Sequence, residues 1–402
     1  MTTARTTPAI KSSSTTDPLQ LIDVDHVRFY VGNAKQAAHF YASTFGFQVS
    51  QISDLTTGSR DAAHYLLTQG NIRFVLTTGL TKDHPASRHV MLYGDGVKDI
   101  AFTVFDAEKA YERAMKNGGE SAYEPITVRD ERGSVTTAGV RIFGEVVHSF
   151  ISRPSAGEYS LPAIKQGGAF MPKFRPVSYV LNDHNLKHPC GLKFVDHLVG
   201  NVELGAMNKW VAWYENVLEF KMFKHFDDKD ISTEFSALMS KVMASGNQLI
   251  KIPINEPAHG KKKSQVQEYL DFTEQTPGVQ HLALRTDDEL TSISELRRRG
   301  VDFLSIPSAY YDQVWQRVES TLKEHGHSAG VKEDHQKVRD LGILVDADDE
   351  GYLLQLFTKP LQDRPTLFFE IICRRGSQSF GKGNFKALFQ ALEEEQGRRG
   401  NL

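Results

Sequence analysis

Cysteine is scarce. Cys190 and Cys373 are the only two in 402 residues, so no disulfide framework can staple the chain, and both are expected as free thiols of a cytoplasmic protein. No apolar run approaches the roughly 18 residues of a membrane span, and no membrane is expected as a partner. Charge of one sign is not in excess either. Lys plus Arg number 47 against 50 Asp plus Glu, which argues against a broad surface for nucleic acid. HExxH is missing, and Gly381-Lys382-Gly383-Asn384-Phe385 lacks the GxxxxGK[ST] spacing of a phosphate loop. Residues 1–16 contain no acid and no apolar h-region, so a flexible tail is expected rather than a secretory signal. These absences leave a globular protein acting on a small molecule.

What is present is enough apolar material, 40% of residues, for two cores of ordinary size. Residues 24–47, VDHVRFYVGNAKQAAHFYASTFGF, match residues 195–220, VDHLVGNVELGAMNKWVAWYENVLEF. Each segment opens with Val-Asp-His in an extended stretch, passes Gly-Asn, and continues with aromatics at helical spacing. A second pair, 96–118 and 278–300, again reads as a strand followed by a helix closed by glycine. Alternating apolar runs at 64–78, 140–153 and 351–358 read as antiparallel hairpins. Four strand-helix-strand-strand-strand units follow, two per half. Paired, they predict an α+β chain of two half-open β-barrels with polar interiors. This arrangement resembles the vicinal-oxygen-chelate (glyoxalase-like) proteins. The expected boundaries are an N-terminal barrel without metal at 17–155, a Gly- and Pro-rich linker at 156–191, and a metal-bearing barrel at 192–402. An amphipathic helix at 382–398 is expected to lie over the mouth of the second barrel.

The repeat selects candidate ligands among fifteen histidines. His26 and His197 share one strand position, whereas His281 faces Asp99 across the repeat. Glu370 stands as a lone carboxylate in the apolar strand TLFFEIICRR, and Ser149 occupies its place in the first half. An unpaired buried charge costs several kcal/mol, so a cation is a natural companion for Glu370. Two imidazoles and one carboxylate leave adjacent coordination positions open, a donor set suited to Fe(II) that binds oxygen and a chelating substrate together. Zinc remains chemically open on the donor set alone.

Six stretches in order, DHLVGNVELGAMNKW, FSALMSKVM, KIPINEPAHGKKKSQVQEYL, GVQHLAL, GYLLQLFTKPLQDRPTLFFEII and GSQSFGKGNFKALF, resemble the 4-hydroxyphenylpyruvate dioxygenase family. The resemblance implies that His197, His281 and Glu370 hold one Fe(II). It implies that Phe357 and Phe385 sandwich an aromatic ring, with Phe368 as a further wall. Ser240, Asn255, Gln265 and Gln355 would orient the carboxylate, keto or phenol groups, with Pro253, Phe380, Asn384, Leu388 and Phe389 completing the pocket. Gln280 precedes His281 on a strand and is expected behind it, facing away from the cavity. The implied reaction takes 4-hydroxyphenylpyruvate and O2 to homogentisate and CO2, in a homo-oligomer (dimer or tetramer). Three alternatives stand beside it: hydroxymandelate synthase, a metal-free binding protein, and a glyoxalase-like isomerase. Pro253 and Asn255 favour the ring-hydroxylating enzyme over the synthase.

Overall fold

The structure, a computed structural model, describes residues 17–226, 237–258, 260 and 262–401; the expected tail at 1–16 lies outside them. Two curled sheets dominate. The first runs through β1 (Leu21–Tyr30), β2 (Gln48–Ser53), β3 (Ala62–Gln69), β4 (Ile72–Gly79), β5 (Gly96–Val104), β6 (Ser121–Asp130), β7 (Gly133–Arg141), β8 (Val147–Ser152) and the short β9 (Arg175–Pro176). The second comprises β10 (Leu192–Asn201), β11 (Lys221–Phe226), β12 (Ala237–Ala244), β13 (Lys251–Ala258), β14 (Gly278–Thr286), β15 (Leu344–Asp348), β16 (Gly351–Phe357) and β17 (Phe368–Arg375).

Their orders, β6-β7-β8-β5-β1-β4-β3-β2-β9 and β11-β12-β13-β10-β14-β17-β16-β15, superpose strand for strand once one is reversed, with β9 as an addition. The repeat is therefore structural, and it extends to register. His26 pairs with Ala101 as His197 pairs with Ala283. Asp99 pairs with Val147 in the same parallel ladder position in which His281 pairs with Phe368, so Ser149 falls where Glu370 does.

Local chemistry explains the connecting helices. Asn33 caps Ala34–Phe45 by accepting from the Gln36 amide, and Gly46 at φ 72° ends it in the left-handed conformation that glycine tolerates. Asp106 and Asp288 cap the equivalent helices Ala107–Lys116 and Glu289–Arg298 in the two halves. Two further helices, Ser308–Glu324 and His335–Leu341, lie between β14 and β15 and have no counterpart in the first half.

One continuous apolar core serves both halves. Alternation along β17 sends Phe369, Ile371 and Cys373 into it while Phe368 and Glu370 face the barrel interior. Phe369 meets Phe45, Phe74 and Tyr41 of the first half at ring-centroid distances of 5.2, 5.7 and 5.9 Å. The 156–191 segment, read from composition as a linker, is packed: Phe170 is fully buried and edge-on to His26, and Asn185 donates to the Ala42 and Phe47 carbonyls.

Candidate active site

His197 on β10, His281 on β14 and Glu370 on β17 occupy three neighbouring strands at the centre of the second sheet. Their ligand atoms all lie within 4.8 Å of one another. Glu370 Oε2 stands 3.1 Å from His197 Nε2 and 3.6 Å from His281 Nε2. Burial alone would raise the carboxyl, but the His197 and His281 imidazoles overrule it and hold Glu370 down at about 2.

A β-bulge precedes each histidine. Val195 and His197 pair with the consecutive residues Leu284 and Ala283, leaving Asp196 as the extra residue; Val199 and Gly200 pair with His281 and Val279, leaving Gln280. Each bulged side chain turns back onto its neighbour. Asp196 Oδ1 accepts from His197 Nδ1 at 3.0 Å, and Gln280 Oε1 from His281 Nδ1 at 3.0 Å. With both Nδ1 atoms engaged, both Nε2 atoms face Glu370. This is a buried, anionic, three-donor site on one side of a cavity, and the donor set fits a divalent cation with open positions facing that cavity.

The bulge also corrects the expectation for Gln280. Strict alternation would turn it away, yet it lines the cavity and its Nε2 donates to Gln265 Oε1 at 3.4 Å. The cavity and its open mouth together enclose about 590 Å³, solvent at the mouth included. The structure gathers Ser240, Pro253, Asn255, Gln265, Gln280, Phe357, Phe368, Phe380, Phe385, Leu388 and Phe389 around it together with the triad. Polar groups come from β12, β13 and the segment from Gln265 to Gln280; rings come from β16, β17 and the C-terminal segment. Phe368 stacks on His281 at 4.8 Å.

Two expected residues stand apart. Asn384 is fully buried but its Oδ1 accepts from the Tyr310 hydroxyl at 2.7 Å and from Arg317, so it anchors the lid to helix Ser308–Glu324 instead of facing the cavity. Gln355 lies buried against Gly381, where any side chain would run into its amide, and it is not on the cavity wall. Gly381 at φ 74° starts the turn that leads into helix Phe385–Arg398, whose Phe385, Leu388, Phe389 and Leu392 cover the cavity.

Val199, Phe226, Leu238 and Val242 also line the cavity, and sequence reasoning passed them over as ordinary apolar residues. Asp196 and Arg374 were missed too. Arg374 forms a bidentate pair with Asp196, at 3.0 and 2.7 Å. Burial would raise the Asp196 carboxyl, but Arg374 and His197 hold it well below the usual range. The signal was the Val-Asp-His of both halves and the arginine closing the last strand of each. In the first half Arg153 pairs with Asp25, and Asp25 with His26, in the same way, while Ser149 Oγ donates to Asp99 at 2.6 Å where the second half has its triad.

Two modules per half, curled about a polar site at the sheet centre, define a superfamily. The chain matches the Glyoxalase/Bleomycin resistance protein/Dioxygenase superfamily over residues 23–142 and 195–356. A 4-hydroxymandelate synthase variant from Streptomyces coelicolor has a similar solved structure, with a TM-score of 0.76 at 27% identity, covering 93% of this chain and 98% of that one. Curated relatives are nearer in sequence. The 4-hydroxyphenylpyruvate dioxygenase of Tetrahymena thermophila is 46% identical over 95% of this chain and 92% of its own length. That of Dictyostelium discoideum is 45% identical over 94% and 99%, and that of Coccidioides posadasii 42% identical over the full length of both. The chain belongs to the 4-hydroxyphenylpyruvate dioxygenase family.

Proposed function

We propose that this chain is an Fe(II)-dependent oxidoreductase converting 4-hydroxyphenylpyruvate and O2 to homogentisate and CO2, with one Fe(II) held by His197, His281 and Glu370. The observation that carries the reading is the convergence of the three donors at the wall of a cavity lined by both aromatic rings and amide side chains. Fe(II) bound there would supply chelation of the 2-oxo acid and activation of oxygen, the chemistry that oxidative decarboxylation and ring hydroxylation require.

The protein's own groups do the positioning. Phe357, Phe368 and Phe385 present faces and edges against which a phenol ring packs, fixing which carbon lies nearest the metal. Ser240, Asn255 and Gln265 supply donors and acceptors for the substrate's polar ends; a buried amide left without a partner would cost about 1–3 kcal/mol, so substrates lacking those groups are disfavoured. Asp196 and Gln280 keep both imidazoles in the tautomer that leaves Nε2 free. Leu388, Phe389 and Leu392 on the lid helix exclude water from the reacting groups. Free, buried Cys190 and Cys373 support a cytoplasmic setting, and family likeness a homo-oligomer.

The competing outcome on the same substrate is benzylic hydroxylation to 4-hydroxymandelate. Pro253 and Asn255 and the 42–46% identity to the dioxygenases, against 27% to the synthase variant, favour homogentisate. The test is chromatography of the products formed by the Fe(II)-loaded full chain in air. A homogentisate peak is expected; a dominant 4-hydroxymandelate peak would overturn the reading.

A further inference from the structure

His197 is held from two directions, and one guanidinium controls both. Arg374 clamps Asp196 through Nε and Nη2, and Asp196 in turn holds His197 Nδ1. Its remaining amino group, Nη1, reaches the other way, donating to the Ser377 and Ser379 carbonyls at the root of the lid. Above these contacts the guanidinium carbon lies 5.6 Å from the centre of the Phe380 ring, and that same ring packs edge-on against His197 at 4.9 Å. Arg374, Asp196, His197 and Phe380 therefore close a loop. Ser377 and the Ser379 amide are fixed to Asp348 Oδ2 at 2.6 and 3.1 Å, so the lid root is a defined turn and not a loose strand.

We propose that Arg374 is a positioning residue that couples retention of the metal to ordering of the lid root. Removing its fork frees Asp196 to rotate away from His197 and lets Phe380 leave the imidazole. Lysine cannot substitute. An ammonium is a compact point charge, whereas the planar fork meets a carboxylate along one edge and carbonyls along another. Arg285 Nη1, 3.5 Å from Asp196 Oδ2, keeps charge near the carboxylate in such a variant, so Asp196 does not become an unpaired buried anion.

The molecule carries its own control. Arg153 makes the same bidentate pair with Asp25, which holds His26 Nδ1; it donates to the Phe170 carbonyl and lies over the Phe170 ring at 5.1 Å. The structural work matches, but Asp99 and Ser149 stand where His281 and Glu370 stand. Arg153→Lys should therefore cost similar stability and leave metal binding alone.

The proposal rests on the metal reading of the triad, and the experiment separates the two. Wild type, R374K and R153K full-length chains are titrated anaerobically with Fe(II) against a competing chelator, and each is exposed to trypsin to time cleavage within residues 375–386. We expect R374K to bind Fe(II) at least tenfold more weakly and to be cut at the lid root at least fivefold faster, with R153K matching wild type in both. Lid-root cleavage and Fe(II) affinity changing equally in R374K and R153K would overturn the proposal, as would R374K behaving like wild type. If R374K fails to fold, Asp196→Asn replaces it: the expected result is again tenfold weaker Fe(II) binding, and unchanged affinity refutes the coupling. Failure of wild type itself to bind Fe(II) would instead remove the metal reading on which the proposal stands.

Discussion

Phe369 joins the two halves of the chain directly behind the site, and its replacement by alanine should be felt by both. The ring is fully buried and touches Tyr41, Phe45 and Phe74 of the first half, while its backbone neighbour Glu370 faces the cavity. Burying a phenylalanine contributes about 1.5–3 kcal/mol by transfer alone. The cavity left by truncation brings typical Phe→Ala losses to about 3–5 kcal/mol, and lost aromatic pairs add about 0.5–1.5 kcal/mol each. A loss of about 4 kcal/mol is therefore expected, a large share of the roughly 5–15 kcal/mol that stabilises an ordinary domain. Urea unfolding followed by circular dichroism and by the fluorescence of Trp210, Trp213 and Trp315 measures it. Because the core runs unbroken through both halves, both probes should report one transition shifted to lower urea with the same slope. A loss under about 1 kcal/mol, or two transitions that separate in F369A and in wild type alike, would refute the idea of a shared core.

Other outcomes follow from the same geometry. Glu370→Ala removes the only carboxylate among the three gathered donors; Fe(II) affinity should fall by at least about 100-fold and turnover should vanish, and retention of both would show the ligand assignment to be wrong. Acid should destabilise the protein before its carboxylates titrate. Burial lowers His148 to about 4, and burial together with Arg28 lowers His64 to about 3, against about 6.5 unfolded. Both are neutral in the native state, so their contribution is complete above pH 6.5 and lost as pH falls toward those lower values. Between pH 7.5 and 5 His148 alone accounts for about 2 kcal/mol, read as a lower urea midpoint at pH 5; a flat midpoint across that range would contradict it. Phe357→Leu should raise KM several-fold and divert part of the decarboxylation from ring hydroxylation, read as CO2 exceeding homogentisate, whereas equal yields would mean that the ring does not position the substrate.

The fold was legible because the chain contains its own comparison. Two Val-Asp-His segments and two strand-helix units at matching positions imply paired modules, and the ladder registers align His26 with His197, Asp99 with His281 and Ser149 with Glu370. Helices Ser308–Glu324 and His335–Leu341 escaped because they are inserted in one half and the repeat has nothing to set beside them, although Tyr311, Val314, Val318 and Leu322 are spaced for one buried helical face. That insertion also explains Asn384: its partners Tyr310 and Arg317 belong to a helix the repeat could not supply. Bulges hid the rest. A strand read as strictly alternating sends Asp196 and Gln280 away from the histidines they precede, and one extra residue in each ladder reverses that. Pairings distant in sequence, such as Arg374 with Asp196, leave no periodic trace, and only the Val-Asp-His and the arginine that recur in both halves marked them.

The most direct measurement is a turnover of the Fe(II)-loaded chain with 4-hydroxyphenylpyruvate under 18O2, with the products separated before mass analysis. Homogentisate carrying two labelled oxygens, formed with one equivalent of CO2, is the predicted result. Unlabelled product, or label found in 4-hydroxymandelate instead, would contradict it.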